Sequence, residues 1–514
     1  MKQRAIGALA WHVLCCKEHV LIRRLAPIAF WCTAASCYHL PIWSGKVTVT
    51  AMERASIAKC GTGALTSRGA TYISRQPYVQ STTTTSTIVV WGATEDKGQV
   101  VLREPGGDVV ATAVAEYAGD ADRRAARLAA QHREGKELDA DDIYLVAARF
   151  DKLQPGHLYC YQLVAGDAPL TEPAPLATAA PPGTDSLRFV ALGDSGTGGA
   201  AQLAIAKRLS AVTFELILFL GDLAYEDGSP RQLQSNFFAV YRDVMRYTPA
   251  YPTIGNHERQ TRSGRPYFEA FVLPEPERYY SFDWGNVHFV AIDTTQRDAR
   301  QLVWLEDDLT NNKLPWVIVY GHHPMYTNSL RGAQQWIRAA FANIVTRHKV
   351  DIVLAGHEHQ YERFRVAGVN YIVSGGGGGQ LTRFFGRSRA LKQATVHHFL
   401  SFEVTAKALD MKVIDISGNA IETLHLTKQG DGVKVKVNDK PDEKSNLVPP
   451  ENQIVPDEKI HREPDDDTQR QKVDPAKPPP EPTKSTPLAA SPGGDQPPAT
   501  SSPPAAAPPA APPR

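Results

Sequence analysis

Between Leu216 and Leu220 the chain reads Leu-Ile-Leu-Phe-Leu and then breaks at Gly221-Asp222. A short unbroken apolar run closed by a glycine and a carboxylate reads as a parallel strand buried on both faces, delivering an acid to the sheet's carboxyl edge. In open α/β sheets that edge is where sites are assembled. One strand-end aspartate is usually a turn residue or a helix cap; recurrence supplies the constraint. Gly193-Asp194-Ser195-Gly196, Gly221-Asp222-Leu223-Ala224-Tyr225, Gly255-Asn256-His257-Glu258, Val319-Tyr320-Gly321-His322 and Gly356-His357-Glu358-His359 follow one another in that order, most of them behind an apolar run. Together they offer four carboxylates, an amide oxygen, four imidazoles and two phenols. Hard oxygen donors with imidazole suit iron, manganese or zinc, and the motifs contain no cysteine for a thiolate site.

The flanking sequence divides around this block. Residues 1–66 read as a targeting or upstream segment: Arg23-Arg24 precede an apolar stretch from Leu25 to Ala35, with small residues before Cys37. That pattern predicts export to a periplasmic, cell-surface or secreted location, and Cys37 offers a possible membrane lipid anchor. Five of the six cysteines (15, 16, 32, 37, 60 and 160) precede the first recognisable domain, so the folded body is expected to contain no internal disulfide. Residues 70–178 alternate in the manner of short strands, beginning with Ser86–Trp91. An Ala/Arg/Glu-rich insert, 121–138, reads as a short helix or solvated loop. Leu153-Gln154-Pro155-Gly156-His157-Leu158-Tyr159-Cys160-Tyr161 resembles a corner of fibronectin type III-like sandwiches, with both tyrosines as packing residues. From Ser186 apolar strand signals alternate with helical periodicity, which predicts a largely parallel or mixed sheet covered by helices over 186–428. More than half of the 38 prolines fall after Lys440, and 429–514 reads as a disordered, proline- and alanine-rich tail. The formal net charge of +1 implies no electrostatic pull toward nucleic acid.

In order and content the five motifs resemble those of the calcineurin-like metallophosphoesterases, and specifically of the purple acid phosphatases. The resemblance covers 186–428, and the β-rich segment before it resembles the domain that precedes the catalytic one in plant-type members. It implies an α+β or α/β chain: a fibronectin type III-like β-sandwich followed by a four-layer αββα domain. Most of the superfamily carries a ligand histidine where this chain has Gly196; in the purple enzymes a tyrosine at the position of Tyr225 replaces it. Carried over by position, Asp194, Tyr225 and His359 would hold Fe(III), Asn256, His322 and His357 a divalent iron, zinc or manganese ion, and Asp222 would bridge the two. The implied reaction is hydrolysis of a small phosphomonoester by metal-bound hydroxide, an acid phosphatase activity. His257, His323 and Arg331 are the candidates for contacts to phosphate or leaving group. Plant-type members carry paired histidines beyond the Val-x-x-His motif; here Tyr326 to Arg331 stand instead, and Arg331 either binds phosphate or begins a helix.

Two glycine-rich stretches imitate phosphate cradles. Gly193 to Gly199 lies between a strand and a helix, but Asp194 inside it would repel a pyrophosphate. Gly375 to Gly379 precedes no clear helix and reads as a loop passing near the site. The alternatives in function are a phosphodiesterase or nucleotide hydrolase on the same ligands, and a surface-binding protein with a vestigial phosphatase domain. The vestigial reading requires a lost ligand, and every ligand position is filled. Oligomeric state is not encoded in these features.

Overall fold

The computed structural model describes residues 51–93, 98–118, 144–386, 388–429 and 432–437. The insert 121–138, residues 1–50 with their signal-like and lipid-anchor features, and most of the proline-rich tail lie outside the described residues.

Two antiparallel sheets form the N-terminal part. One runs in the order Ile73–Gln80, Thr87–Ala93, Tyr144–Phe150, Glu116–Tyr117; the other in the order Val109–Val114, Gln99–Arg103, Leu158–Ala165, Ala168–Pro169, with Ala174–Ala177 also on Leu158–Ala165. Alternate residues of each sheet meet in a shared core, with Val79, Val89 and Trp91 from the first and Val100, Leu102, Tyr161 and Leu163 from the second. Tyr159 is a packing residue of this core, its hydroxyl accepting from the Gln154 N–H at 2.9 Å. The strand Thr87–Ala93 is buried throughout because the other face of its sheet also packs: Tyr78, Ile88 and Val90 join the core of the larger part of the chain. Tyr78 and Tyr161 donate across that boundary to the carbonyls of Ala270 and Arg246, at 2.6 and 2.7 Å.

Two expectations about this region are overturned. Residues 51–66 are built into the fold: Ala51–Cys60 is a helix, Cys60 is disulfide-bonded to Cys160, and the Gly63 and Thr66 N–H groups donate to the carbonyls of Pro173 and Leu170. Counting cysteines within a domain that began at 70 hid the partner of Cys160, which lies 100 residues upstream. The segment from 429 is likewise not wholly tail, since Gly432–Val437 pairs antiparallel with Ala420–Gln429.

The larger part contains two seven-stranded mixed sheets. The first has the order Ala250–Pro252, Leu216–Phe219, Leu187–Leu192, His398–Val404, Ala408–Asp415, Ala420–Gln429, Gly432–Val437; the second, Tyr280–Trp284, Val287–Ala291, Trp316–Tyr320, Ile352–Ala355, Val369–Ser374, Tyr361–Val366, Lys392–Ala394. Period-two alternation divides the apolar runs between two cores. Trp316, Ile318 and Tyr320 face the first sheet, while Val317 and Val319 face the helices Ala299–Asn311 and Gln335–Arg347 through Leu305, Ile337 and Phe341. Phe189 stacks on Phe402 at 4.3 Å and meets Phe289 of the opposite sheet edge-on at 5.1 Å, fixing the sheet-to-sheet contact. In each sheet three or four adjacent strands run parallel, so their carboxyl ends fall at one edge. All five motifs are at those ends.

Candidate metal centre

Three of the motif side chains stand on backbone that L-residues seldom adopt: Asp194, Asp222 and His357 have φ of 59°, 52° and 68°. Left-handed conformations of this kind cost of order 1 kcal/mol or more each and persist where the surrounding structure enforces them. Here the enforcement is mutual. A Cβ on Gly255 would lie 2.1 Å from Asp222 Oδ1, and one on Gly356 would lie 2.5 Å from Asp194 Oδ2, so the glycine of one motif makes room for the carboxylate of another. Gly196 has a further reason. A Cβ there would stand 1.9 Å from the Leu223 carbonyl carbon, because the turn that carries Tyr225 occupies that space; the Tyr225 N–H donates to the Gly196 carbonyl at 2.8 Å.

Two sets of donor atoms result. In the first, Tyr225 Oη lies 3.2 Å from Asp194 Oδ1, 3.3 Å from Asp222 Oδ2 and 3.0 Å from His359 Nε2, and Asp194 Oδ1 lies 3.3 Å from His359 Nε2. In the second, Asn256 Oδ1 is 2.9 Å from His322 Nε2 and 3.0 Å from His357 Nδ1, and His322 Nε2 is 3.2 Å from Asp222 Oδ2. The same oxygen, Asp222 Oδ2, belongs to both. Asp194, Asp222 and His322 are buried.

The proton inventory says what fits between these atoms. His322 Nδ1 is 2.8 Å from the Leu220 carbonyl and His359 Nδ1 is 2.7 Å from the Gln380 carbonyl, so each Nδ1 carries a proton and donates. Each neutral ring then turns the lone pair of Nε2 inward. Tyr225 has one proton for three neighbours, and the Asn256 oxygen is an acceptor only. Lone pairs converge without enough hydrogens to satisfy them, and ligand-to-ligand separations near 3 Å are those of donors about 2.0–2.2 Å from a common ion. The donor set therefore fits two hard or borderline cations sharing Asp222.

Without cations the charges settle differently. Burial would raise Asp222, but the adjacent His322 ring holds its carboxyl well below the usual range; burial would lower His322, but Asp222 pushes it up to about 10. Burial and the Asp194 and Asp222 carboxylates drive the Tyr225 phenol far above its ordinary value, so a phenolate here requires a cation.

The remaining candidates are placed as follows. His257 Nε2 lies 3.9 Å from Asp222 Oδ2, its ring packs 4.4 Å from that of Tyr225, and its backbone N–H donates to Asp222 Oδ1 at 3.0 Å. His323 is buried, with its ring 4.4 Å from His357; burial and the neighbouring His322 ring push it down to about 3. Arg331 is exposed in the loop before the helix Gln335–Arg347, so it does not begin that helix, and its charge is felt by His357 and Glu358. The Gly375–Gly379 run does pass the site, bonding back to it: the Gly377 and Gly379 N–H groups donate to the carbonyls of Gly193 and Asp194.

Sequence reasoning gave no role to Glu258. Its buried carboxylate accepts four backbone N–H groups, from Asp222 (2.9 Å), Leu223 (2.8 Å), Ala224 (3.1 Å) and Gly255 (2.9 Å), and so clamps the second motif to the third. Burial and the Asp222 carboxylate push it up to about 8 against those four donors. A signal was present: Glu258 closes a motif and falls in the first turn of the helix Asn256–Gln260.

Residues 187–361 match the sequence profile of the calcineurin-like phosphoesterases. This part of the chain is thus a metallophosphoesterase domain. Purple acid phosphatase 21 of Arabidopsis thaliana is 30% identical over 226 residues, covering 38% of this chain and 51% of that protein. Phosphoenolpyruvate phosphatase of Allium cepa is 29% identical over 189 residues, covering 32% and 39%. The structure of a purple acid phosphatase from yellow lupin (Lupinus luteus) seeds superposes with a TM-score of 0.59 over 69% of this chain and 74% of that one, at 18% identity, which is a likeness of fold. Over these residues the chain is similar to the purple acid phosphatases among the metallophosphoesterases, and it spans about half the length, or less, of these curated relatives.

Proposed function

We propose that this chain hydrolyses small phosphomonoesters at a two-ion site, as an acid phosphatase. The observation that carries the reading is Asp222 Oδ2, one carboxylate oxygen within 3.3 Å of donors from both sets. Asp194, Tyr225 and His359 would hold Fe(III), Asn256, His322 and His357 a divalent iron, zinc or manganese ion, with Asp222 between. When bound, such a pair supplies Lewis-acid activation of water and neutralises charge on the phosphoryl group.

The protein's own residues supply position and protons. Glu258 and the glycine contacts hold the donors in place before any ion arrives, which is what electrostatic preorganisation requires. The Leu220 and Gln380 carbonyls fix the tautomers of His322 and His359. His257, half-buried and next to Asp222 and Tyr225, is placed to meet a phosphate oxygen or the leaving group, and exposed Arg331 adds positive charge at the entrance. His323 adds a third ring beside His322 and His357. The N-terminal pair of sheets, 70–178, is the fibronectin type III-like domain of this reading. Export fits the Cys60–Cys160 disulfide, since such bonds persist in oxidising compartments.

The test is metal analysis of the purified protein together with turnover of a panel of phosphomonoesters and phosphodiesters. Two ions per chain and preference for monoesters below neutral pH are expected. Asp222→Asn should lose both ions and activity together. Diester preference, or a variant that keeps both ions, would refute the assignment.

A further inference from the structure

The turn that carries the Tyr225 phenol is held from outside the five motifs, by an unusual piece of helix. The helical stretch from Pro230 to Met245 is α at both ends, but Leu233–Phe238 between them is a π-helix, with the Ala239 N–H donating to the Gln234 carbonyl five residues back. Single π turns inside α-helices are rare and recur at functional sites.

The polar side chains here divide between two directions. Gln232 and Asn236, four residues apart, meet the Tyr225 turn. Gln232 Oε1 accepts from the Asp227 N–H at 3.0 Å, and Asn236 Nδ2 donates to the carbonyls of Gly196 and Tyr225 at 3.1 and 3.2 Å. Both carbonyls can only accept, so the amide nitrogen faces them, and Asn236 Oδ1 accepts from Ser235 Oγ at 2.7 Å. The Gly196 carbonyl also takes the Tyr225 N–H at 2.8 Å, so Tyr225 is tied at both ends of its own backbone. Glu258 holds Asp222 to Ala224, and Asn236 takes over at Tyr225. Gln202 fixes the holder in turn, donating from Nε2 to the Asn236 backbone carbonyl at 2.6 Å. Gln234, between Gln232 and Asn236, serves the other direction: its Oε1 accepts from Arg75 Nε at 2.7 Å. Arg75 belongs to the N-terminal strand Ile73–Gln80 and is buried, with its guanidinium 3.7 Å from the ring centre of Phe238, the last residue of the π turn.

We infer that Asn236 is a positioning residue for the Tyr225 phenol, and that Arg75 extends this control to the N-terminal pair of sheets along a path from Arg75 through Gln234 and Asn236 to Tyr225. The inference rests on the two-ion reading, since Tyr225 matters here as an ion ligand, and it gives the N-terminal part a task in that reading. Neither donor set draws a residue from the N-terminal part, so its influence on the ions runs through the π turn.

The experiment uses the full chain as wild type, Asn236→Leu, Arg75→Met, Arg75→Lys and Gln234→Leu. Hydrogen–deuterium exchange of the metal-free protein compares residues 222–228 with the strand Thr87–Ala93. The protein reconstituted with iron and zinc is then followed by its visible phenolate-to-iron band and by release of each metal to a chelator. Asn236→Leu keeps the side chain's shape and removes the donor. Exchange at 222–228 should quicken about tenfold, the usual worth of one or two neutral hydrogen bonds, with Thr87–Ala93 unchanged. Iron should be released about 10- to 100-fold more readily, with the band weakened or displaced and zinc retained. Arg75→Met should show the same pattern at smaller amplitude, and Arg75→Lys, which keeps a cation and a donor, should stay near wild type. Gln234→Leu cuts the same link from the other side and decides the point should Arg75→Met not fold. Wild-type exchange and iron release in Asn236→Leu would overturn the inference. So would faster exchange at Thr87–Ala93 with both metals lost alike, which marks a general loss of structure. Gln234→Leu indistinguishable from wild type would overturn the reach to the N-terminal sheets. An iron-loaded wild type without the visible band sinks the ligand role of Tyr225, while the exchange series still decides whether Asn236 and Arg75 hold its turn.

Discussion

Glu258→Gln is the most informative single-atom change, because it leaves every proposed ligand in place. The wild-type carboxylate meets four N–H donors, two on each oxygen: Leu223 and Ala224 on Oε1, Asp222 and Gly255 on Oε2. An amide in the same space presents one oxygen and one NH2, so two of the four backbone donors face a donor instead. Losing two hydrogen bonds to a charged group at about 1.5–3 kcal/mol each gives about 3–6 kcal/mol. Burial and the Asp222 carboxylate, which push Glu258 up to about 8, oppose charge on this side chain, and the neutral amide escapes that penalty, which offsets part of the loss and puts the net near the lower end, about 3 kcal/mol. The orphaned donors belong to Asp222 and its neighbours, so the damage falls on the oxygen shared by the two ion sets. The assay pairs chemical denaturation of the metal-free protein with metal stoichiometry after reconstitution. Reduced stability and weakened retention of both ions are expected together. A variant within about 1 kcal/mol of wild type that still holds two ions would show that the clamp is dispensable and that the ligand loop is held by the glycine contacts alone.

Three further outcomes are open to measurement. Tyr225→Phe removes one donor from the first set; in the iron-loaded protein the visible phenolate-to-iron band should vanish and iron should be lost at least about tenfold more readily, and an unchanged spectrum would exclude Tyr225 as a ligand. His288 is buried between Asp283 and Asp308, at 2.7 and 2.9 Å, and although burial lowers it these carboxylates push it up to about 9. Its stabilising contribution is whole below about 6.5 and is lost as pH rises through about 9, at most about 3 kcal/mol, so a pH series of melting temperatures should decline across that window in wild type and flatten there in His288→Gln. Reducing Cys60–Cys160, which closes a 100-residue separation, should lower unfolding free energy by about 4–5 kcal/mol with phosphatase turnover of the folded protein retained; an unchanged denaturation midpoint in Cys160→Ser would count against it.

The parts of this chain that could be read from its sequence are those where local pattern and tertiary role coincide. Trp316–Tyr320 is a continuous apolar run because both faces of the strand are buried, and Leu187–Leu192 departs from one only at half-buried Arg188; the structure has strands with those bounds. Strands such as Ala250–Pro252 and Tyr361–Val366 were invisible: the first is three residues long, and the second mixes Glu362, Arg363 and Arg365 into its run, with Arg363 paired to buried Glu422. The convergence of the motif residues was legible because glycine-plus-donor recurs at strand ends. What lay behind them was not. Glu258 acts through four backbone N–H groups, a partnership whose trace in the sequence is no more than its place at the end of a motif. Cys60 failed for a different reason, since a disulfide partner is fixed by three-dimensional proximity and not by domain counting.

The contact between the His357 N–H and Asp194 Oδ2, at 2.8 Å, spans 163 residues of chain. At about 5–20 residues synthesised per second, Asp194 leaves the ribosome roughly 10–30 s before His357 does. For that interval the emerging chain displays Asp194, Asp222 and Tyr225 without the imidazoles that complete either set. A stray divalent cation meets isolated carboxylates and exchanges freely, because no cage yet exists to retain it. Selection of the resident ions is thereby deferred until the last motif docks. On the two-ion reading, ion uptake becomes a clock that starts only when the final strand end is in place, and the metal content of a preparation sets a lower bound on the share of molecules that finished folding.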